Sequence, residues 1–220
     1  MAIQHAWRVD PSQSKISFKV SYMLLGVITG EFRHCSGTVL ADDTFNELKV
    51  TVIVDVGSMT TFHPQRDADM RSHTFFDADT FPVIKFVSSS FRRVSTGGLF
   101  ELSGQLTICE RTVPLMMMVS LASFSPGGGA SVAGRLNAAG VTGATGGSDQ
   151  AIGSGAAGGS GAAIGSGAAA SAVFTFSGML RRSAFGLGGK DTPDQDSVAD
   201  LVEFSGEAAI RRLVGEEKGV

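Results

Sequence analysis

The chain has 220 residues, with 18 basic and 21 acidic side chains and a formal net charge of −3. Its basic residues form no run of the kind that contacts nucleic acid, so we expect no nucleic-acid partner. The length suits one well-buried core, which predicts a single domain over residues 1–220. Cys35 and Cys109 form no CxxC pair; this favours reduced thiols over a disulfide framework or a zinc site, although a disulfide between them is compatible with the sequence.

The N-terminal segment MAIQHAWRVD resembles no secretory leader. It lacks the basic head, the apolar stretch and the small-residue cleavage site that such leaders carry. We therefore expect a cytoplasmic protein. The alternative is a periplasmic protein from which a leader has been removed.

Alternating apolar and polar residues predict strands along most of the chain. In KISFKVSY, Ile16, Phe18, Val20 and Tyr22 fall on one face and polar residues on the other, as in a half-buried strand. Seven further segments alternate in the same way, the first of them more weakly: GEFRHCSGTVL, LKVTVIVDV, VIKFVSS, FELSGQLTI, TVPLMMMVSL, VFTFSGML and LVEFSGEAAI. About eight strands without intervening amphipathic helices predict an all-β, antiparallel barrel or sandwich.

One short helix is predicted, over residues 66–74. Asp67 and Asp69 suit a first helical turn because carboxylates are favourable near a helix N-terminus, and Met70 and Phe75 are then placed to face inward. The charged segment RDADMRSHTFFDADTFP, residues 66–82, is therefore expected on a connection between two strands.

Residues 126–172 differ in composition from the rest of the chain. They are mostly glycine, alanine and serine, include no aromatic residue, and carry only two charges, Arg135 and Asp149. Three six-residue units, GSGAAG, GSGAAI and GSGAAA, occur between residues 153 and 170. We interpret this segment as an insertion that forms a flexible loop, because it has little apolar surface to bury. A membrane helix and a silk-like stack of short strands are the weaker alternatives.

The sequence contains no convincing active site. His63, Asp67, Asp69 and His73 are metal-ligand types, but their spacing matches no known metal motif, so we expect no bound metal. No GxSxG elbow occurs, and His34 and Cys35 are strand neighbours that point to opposite faces. We expect no enzyme activity and no cofactor other than a bound lipid. The 15 phenylalanines and 8 methionines instead suit the lining of a barrel that holds one small apolar ligand.

Several segments, taken together, resemble the YceI family of lipocalin-like, polyisoprenoid-binding proteins. They are WRVDPSQSKISFKVSY, GEF, RDADMRSHTFFDADTFPVIKF, LSGQLTICERTVPL, RRSAFGL and VEFSGEAAI. The resemblance runs in order from Trp7 to about Ile210 and is interrupted by the insertion. Its most specific part is the pattern RDxxxRSxxFFDxxxFP.

The resemblance implies an eight-stranded antiparallel, lipocalin-like barrel with one short helix between strands. Its apolar tunnel is expected to bind, and to sequester or transport, a polyisoprenoid, an isoprenoid quinone or a similar amphiphilic lipid. The residues expected to contact this ligand are Phe18, Val20, Tyr22, Phe32, Val52, Val54, Arg66, Phe75, Phe76, Phe86, Leu106, Met117, Phe174, Phe176, Phe185 and Phe204. Structural roles are expected for Asp67, Pro82, Arg182 and Gly186.

The charged residues of the 66–82 segment are expected to brace one end of the barrel. Arg66 or Arg182 is suited to meet a phosphate or a quinone oxygen, and for Arg182 we favour a structural pair with a carboxylate. Three positions depart from the family pattern. Tyr22 and Asp69 stand where the family has histidine, and Ala184 stands where it has an acidic residue.

Two other functions are compatible with the sequence. One is a small enzyme acting on a hydrophobic substrate inside the barrel, and the other is a stress-related scaffold whose insertion recruits partners. Exposed strand edges and an apolar mouth are also compatible with transient membrane contact and with a homodimer.

Overall fold

The structure is a computed structural model that describes residues 5–22, 26–42, 45, 47–95, 98–126, 169–188 and 198–213. From residue 127 to 168, the predicted insertion lies outside the described residues. The described parts contain one α-helix, α1, at Pro64–Arg71. They also contain eleven strands, β1 to β11 in chain order: His5–Val9, Lys15–Tyr22, Gly26–Phe32, Cys35–Ala41, Leu48–Asp55, Met59–Thr60, Val83–Arg93, Leu99–Ile108, Arg111–Ser125, Ser171–Arg181 and Val198–Arg212. No helix in these parts has the length and apolar character needed to cross a membrane.

The strands form a closed eight-stranded antiparallel barrel, as the sequence and its resemblance predict. Going around the wall, the order is β1, β4, β5, β7, β8, β9, β10 and β11, and β11 pairs with β1 to close the ring. β2 and β3 continue the wall where β1 and β4 end, and the short β6 pairs with β3. Closure leaves few unpaired strand edges, which stabilises an all-β fold.

Two neighbouring wall strands are each broken at the same level of the barrel. β1 and β2 both pair with β11, and a 3-10 turn at Pro11–Gln13 separates them. The Asp10 carboxylate caps this turn by accepting from the Ser12 backbone N–H, and Pro11 has no N–H to offer a partner strand. On the adjacent strand, Arg33 and His34 separate β3 from β4. The segment GEFRHCSGTVL, predicted as one weak strand, is therefore parts of two strands.

Most predicted strand faces are confirmed by the structure. Ile16, Phe18, Val20 and Tyr22 of β2 all border the interior cavity. In β9, Met117 borders the cavity, whereas its neighbour Met116 is 55% exposed on the outer surface. The strand β1 was not predicted, because its five residues are too few to establish an alternating pattern.

The helix begins and ends earlier than predicted. Pro64 occupies its first turn, where a missing N–H has no consequence, and the His63 ring accepts from the Arg66 backbone N–H at 3.3 Å. The helix ends at Arg71, because Ser72 is extended. Met70 borders the cavity from α1, and Phe75 borders it from the turn that follows.

The barrel end opposite α1 is closed by an aromatic cluster. Phe45 packs against Trp7, Phe124 and Phe174 with ring centroids 5.4, 5.6 and 5.3 Å away. Trp7 is fully buried and Phe45 is 3% exposed. β10 begins at Ser171, two residues inside the predicted boundary of the insertion, and the small side chain of Ala172 is buried in the wall.

Candidate functional site

The barrel encloses an apolar cavity of about 930 Å³. Its wall is built from the inward-facing residues of the strands and from α1. Among the residues predicted to contact a ligand, those that border the cavity are Phe18, Val20, Tyr22, Phe32, Val52, Val54, Arg66, Phe75, Phe76, Phe86, Leu106, Met117, Phe174, Phe176 and Phe204. The structure thus brings almost the whole predicted set together, and ligand contact by these residues remains a prediction.

Phe185 is the exception, because it is not among the residues that border the cavity. It is 4% exposed and belongs to the core, at the end of a 3-10 turn. Gly186 follows with φ +74°, and the backbone N–H groups of Gly186 and Leu187 donate to the carbonyls of Ser183 and Arg182. This reversal places Leu187 on the cavity wall. It also explains the structural role predicted for Gly186, since only glycine adopts this φ freely.

Several cavity phenylalanines lie flat over a glycine of a neighbouring strand. A Cβ added to Gly30 would fall 2.3 Å from the ring of Phe18, its partner across β2 and β3. The same arrangement joins Phe86 to Gly104, Phe204 to Gly178 and Phe176 to Gly206. These glycines let the rings rest against the wall, so the aromatic lining leaves the centre of the barrel open.

A chain of aromatic contacts connects α1 to the strands. The Phe76 ring meets Phe75 at 5.0 Å and Phe32 at 6.3 Å, and Phe32 meets Phe18 at 5.7 Å. The Sγ atom of Cys109 lies 3.4 Å from the Phe76 carbonyl, to which it donates. Phe76 therefore fixes the turn after α1 against the barrel.

Polar residues of the cavity wall gather at the α1 end. They come from α1 and its flanking turns: His63, Gln65, Arg66, Asp69, Ser72 and Thr74. His63, Gln65, Asp69 and Thr74 are exposed, so the cavity reaches solvent here. We call this opening the mouth. Tyr22 and Arg182 border the same cavity, and Glu207 on β11 is a polar wall residue away from α1.

Arg66 and Asp67 both bind Thr61 and do not form a direct ion pair. The Arg66 Nε atom donates to Thr61 Oγ1 at 2.8 Å, and its Nη2 atom donates to the Thr61 carbonyl at 3.1 Å. Asp67 accepts from the Thr61 backbone N–H and hydroxyl at 2.7 and 2.6 Å, and from the Thr60 hydroxyl at 2.8 Å. The structural role predicted for Asp67 agrees with this network, which joins α1 to β6.

The pKa of Asp67 is lowered from its ordinary value near 3.8. Burial alone would raise this pKa, but the hydrogen bonds from Thr61 and Thr60 and the nearby charge of Arg71 outweigh that effect. Burial raises the pKa of Cys35, whose thiol lies on the cavity wall. Both Cys35 and Cys109 are free thiols.

The remaining predicted positions have local structural contacts. Arg182 donates through Nη2 to the Val198 carbonyl at 2.7 Å, which ties the end of β10 to the start of β11. The Pro82 carbonyl accepts from the Val56 backbone N–H at 2.9 Å. Asp69 accepts from Gln65 at 3.4 Å, and Ala184 is exposed. No three histidine, cysteine or acidic side chains are placed to hold a metal ion in the described parts of the chain.

Sequence reasoning missed several wall residues. Cys35 and Leu187 border the cavity, although neither was predicted to contact a ligand. Cys35 was predicted only to lie on the strand face opposite to that of His34. The alternation of apolar and polar residues in its segment was a signal that this face points inward. Leu187 gave no such signal, because its position depends on the chain reversal at Gly186.

The protein has a closed eight-stranded barrel around an apolar cavity. It therefore belongs to the class of β-barrels whose hydrophobic interior is large enough for a small ligand. The family profile described as "YceI-like domain" matches residues 7–209, and the chain belongs to this family.

Relatives of known sequence match only part of this chain. Protein YceI of Salmonella newport is 27% identical over 123 residues, which cover 54% of this chain and 63% of that protein. A UPF0312 protein of Vibrio vulnificus is 33% identical over 105 residues, covering 47% of this chain and 55% of that protein. The chain therefore matches less than two thirds of the length of these curated relatives.

Solved structures share the fold over most of the chain. Burkholderia cenocepacia BcnA has a TM-score of 0.65 at 21% identity, covering 91% of this chain and 98% of BcnA. A polyisoprenoid binding domain from Saccharophagus degradans, implicated in plant cell wall breakdown, has a TM-score of 0.60 at 11% identity and covers 95% and 99% of the two chains. These similarities show the barrel fold.

Proposed function

We propose that this chain binds the hydrocarbon part of a polyisoprenoid, an isoprenoid quinone or a similar amphiphilic lipid inside its barrel. We further propose that it sequesters or carries the lipid and does not transform it. The observation that carries the proposal is the polarity of the cavity. Its wall is apolar along the strands and polar at the mouth, which matches a molecule with a long apolar chain and a small polar end.

Hydrophobic burial supplies the driving force. Moving hydrocarbon from water into this cavity releases about 25 cal/mol for each Å² of apolar surface removed from water. The phenylalanines that lie flat against the wall offer broad apolar surfaces and leave space for a flexible chain. The Saccharophagus degradans domain with the same fold is a polyisoprenoid binding domain, which supports a ligand of this class.

The mouth is suited to contact the polar end of such a lipid. Arg66 borders the cavity while two of its nitrogens are held by Thr61, so its guanidinium has a fixed position. A fixed guanidinium is a good donor to a phosphate or a quinone oxygen. Tyr22, where the resemblance implied histidine, also borders the cavity and gives the mouth a hydroxyl. Asp69 borders the cavity as well, but its carboxylate accepts from Gln65 and is not assigned to the lipid.

Binding without catalysis is supported by the structural hydrogen bonds that His63 and Asp67 already make. His63 caps α1, and Asp67 accepts three hydrogen bonds that hold the helix to β6. A general acid or base must reach a reacting atom, and these two groups are engaged in structure. The competing function is an enzyme, and one that cleaves, oxidises, reduces or transfers a group to the bound lipid predicts that the lipid changes mass.

Mass spectrometry tests the proposal directly. The natively folded protein is analysed intact, and its organic extract is analysed in parallel for lipids. We expect a stoichiometric isoprenoid or quinone, and we expect the same mass after prolonged incubation with the protein. An empty barrel that also rejects added polyprenyl lipid would contradict binding, and a lipid product of altered mass would contradict the carrier function.

A further inference from the structure

Five exposed apolar side chains form a band on the outside of the barrel near the mouth. We call this band the rim patch; its residues and exposed fractions are Val27 at 62%, Phe62 at 65%, Met116 at 55%, Met179 at 59% and Leu201 at 43%. None of the five borders the cavity, so ligand contact does not explain them. Large apolar side chains exposed as a group mark an interaction surface.

Strand register shows that the rim patch is continuous across β9, β10 and β11. Met117 pairs with Gly178, so Met116 and Met179 come opposite each other one residue further along. Met179 pairs with Glu203, which places Leu201 diagonally across from it on β11. Diagonal neighbours on one face of a sheet are within reach of long side chains.

The patch continues onto β3. Val198 pairs with Tyr22 and Val202 pairs with Val20, with an irregularity of β11 between them, so Leu201 belongs to the short stretch of β11 that faces Ser21. Ser21 in turn pairs with Val27. β6 runs antiparallel to β3 and leads into Phe62, which directly precedes the mouth residue His63. The rim patch therefore borders the end of the barrel where the cavity reaches solvent.

Phe62 is held in an unfavourable backbone conformation. Its φ is +61°, which is rare for a bulky side chain and costs free energy. Its backbone N–H donates to Thr60 Oγ1 at 3.0 Å, and the Arg33 guanidinium lies 5.9 Å from the centre of its ring. The surrounding structure thus maintains a strained conformation that exposes an aromatic ring to solvent. Such strain is often retained where it serves function.

We propose that the rim patch docks the mouth of the barrel onto the surface of a lipid bilayer. This inference rests on the proposed lipid-binding function, because a lipid that passes between a bilayer and the cavity would otherwise expose its hydrocarbon to water. Docking of the apolar rim removes water from the path at the end of the barrel where the lipid enters. An exposed aromatic ring beside a cation is also suited to the headgroup region of a bilayer.

Charges beside the rim patch are of both signs. Arg181 pairs with Asp200 at 3.2 Å, and Glu203 and Lys19 face each other across β11 and β2. A surface of this kind gains little from anionic lipids, in contrast to a polybasic one. Docking is therefore driven by apolar burial and is expected on neutral and anionic bilayers alike, with weak dependence on salt.

Vesicle flotation tests the inference with the full chain. Vesicles of phosphatidylcholine, and of phosphatidylcholine with phosphatidylglycerol, are mixed with the protein and floated through a density gradient. The test variant carries Phe62→Asn, Val27→Thr and Leu201→Thr; asparagine tolerates positive φ, and threonine suits exposed strand positions. The control variant carries Leu40→Thr and Val94→Thr, which are 40% and 46% exposed outside the rim patch.

We expect the test variant to lose about tenfold or more of its partition onto both vesicle types, and the control to match the unmodified protein. Equilibrium binding of a fluorescent polyprenyl probe without vesicles is measured in parallel and is expected to be equal in all three proteins.

Flotation of the test variant equal to that of the unmodified protein would overturn the inference. So would failure of the unmodified chain to float, or a dimer that only the test variant loses, which would identify a second copy as the occupant. Loss of probe binding in the unmodified chain would refute the proposed function separately.

Discussion

The rings of Phe75 and Phe76, neighbours in the chain, pack edge to face with centroids 5.0 Å apart and both border the cavity. Their burial differs: Phe76 is 7% exposed and continues the aromatic contacts to Phe32, whereas Phe75 is only partly buried. Phe76 therefore holds the turn after α1 in place, and Phe75 offers the more accessible surface to a ligand.

Phe75→Ala is expected to weaken lipid binding about tenfold, because the lost ring removes about 1.5 kcal/mol of apolar contact with the ligand. Titration with a fluorescent polyprenyl probe measures the affinity. Asp69→Ala is the matched control at the mouth, and it should leave the affinity nearly unchanged. The reverse pattern, with Asp69→Ala weakening binding and Phe75→Ala leaving it intact, would show that polar contacts dominate.

Gly30→Ala is expected to reduce lipid binding by narrowing the cavity. The three heavy atoms nearest to the added Cβ all belong to the ring of Phe18, the nearest at 2.3 Å, and this flexible side chain can swing away from the wall into the open centre of the barrel. Thermal unfolding should shift little, while the affinity for a long polyprenyl chain should fall more than the affinity for a short one. A double variant, Gly30→Ala with Phe18→Leu, removes the displaced ring and should recover much of the binding.

Sequence reasoning predicted the barrel and most of its wall because alternation alone determines which side chains face inward. In β2, a single register makes Ile16, Phe18, Val20 and Tyr22 point to the same side, and closing the barrel turns that side toward the cavity. Alternation predicted about eight strands in a barrel or a sandwich, and the family resemblance then implied the barrel and the inward position of Phe75 and Phe76. The YceI-like family match over residues 7–209 confirms that resemblance.

Features that depend on contacts distant in sequence could not be predicted. The role of Thr61 as the shared partner of Arg66 and Asp67 requires α1 to fold back on β6, and no local pattern specifies that contact. Leu187, and not Phe185, borders the cavity because a left-handed residue, Gly186, reverses the chain between them. The pairing of Phe18 with Gly30 depends on strand register, which alternation does not determine.

Asp67→Asn is expected to lower the free energy of unfolding by about 2 kcal/mol near neutral pH, because the amide cannot accept all three hydrogen bonds made by Thr61 and Thr60. The pKa of Asp67 is lowered in the folded state, so its contribution is complete above the ordinary carboxyl pKa and is lost as pH falls through the folded value. Urea unfolding between about pH 6 and about pH 3 should therefore show the difference from the unmodified protein shrinking toward acid.

Asp79→Asn is the control for that experiment, since Asp79 is an exposed carboxylate in the turn after α1. This variant should unfold like the unmodified protein at every pH. A difference between Asp67→Asn and the unmodified protein that stays constant down to acid pH would contradict the contribution assigned to the ionised carboxylate.

The Cys35 thiol reports directly on whether a lipid fills the barrel. Cys35 is buried on the cavity wall and burial raises its pKa, so it should react slowly with a thiol reagent even in the empty protein. A saturating polyprenyl lipid should slow this labelling by about a further tenfold, measured by mass spectrometry.

The experiment uses a Cys109→Ser background, which retains a donor for the Phe76 carbonyl. In the same background, Cys35→Ser with Ser36→Cys moves the thiol to the exposed face of β4, where the lipid should give no protection. Equal protection at both positions would indicate that the lipid coats the outside of the barrel and does not enter it.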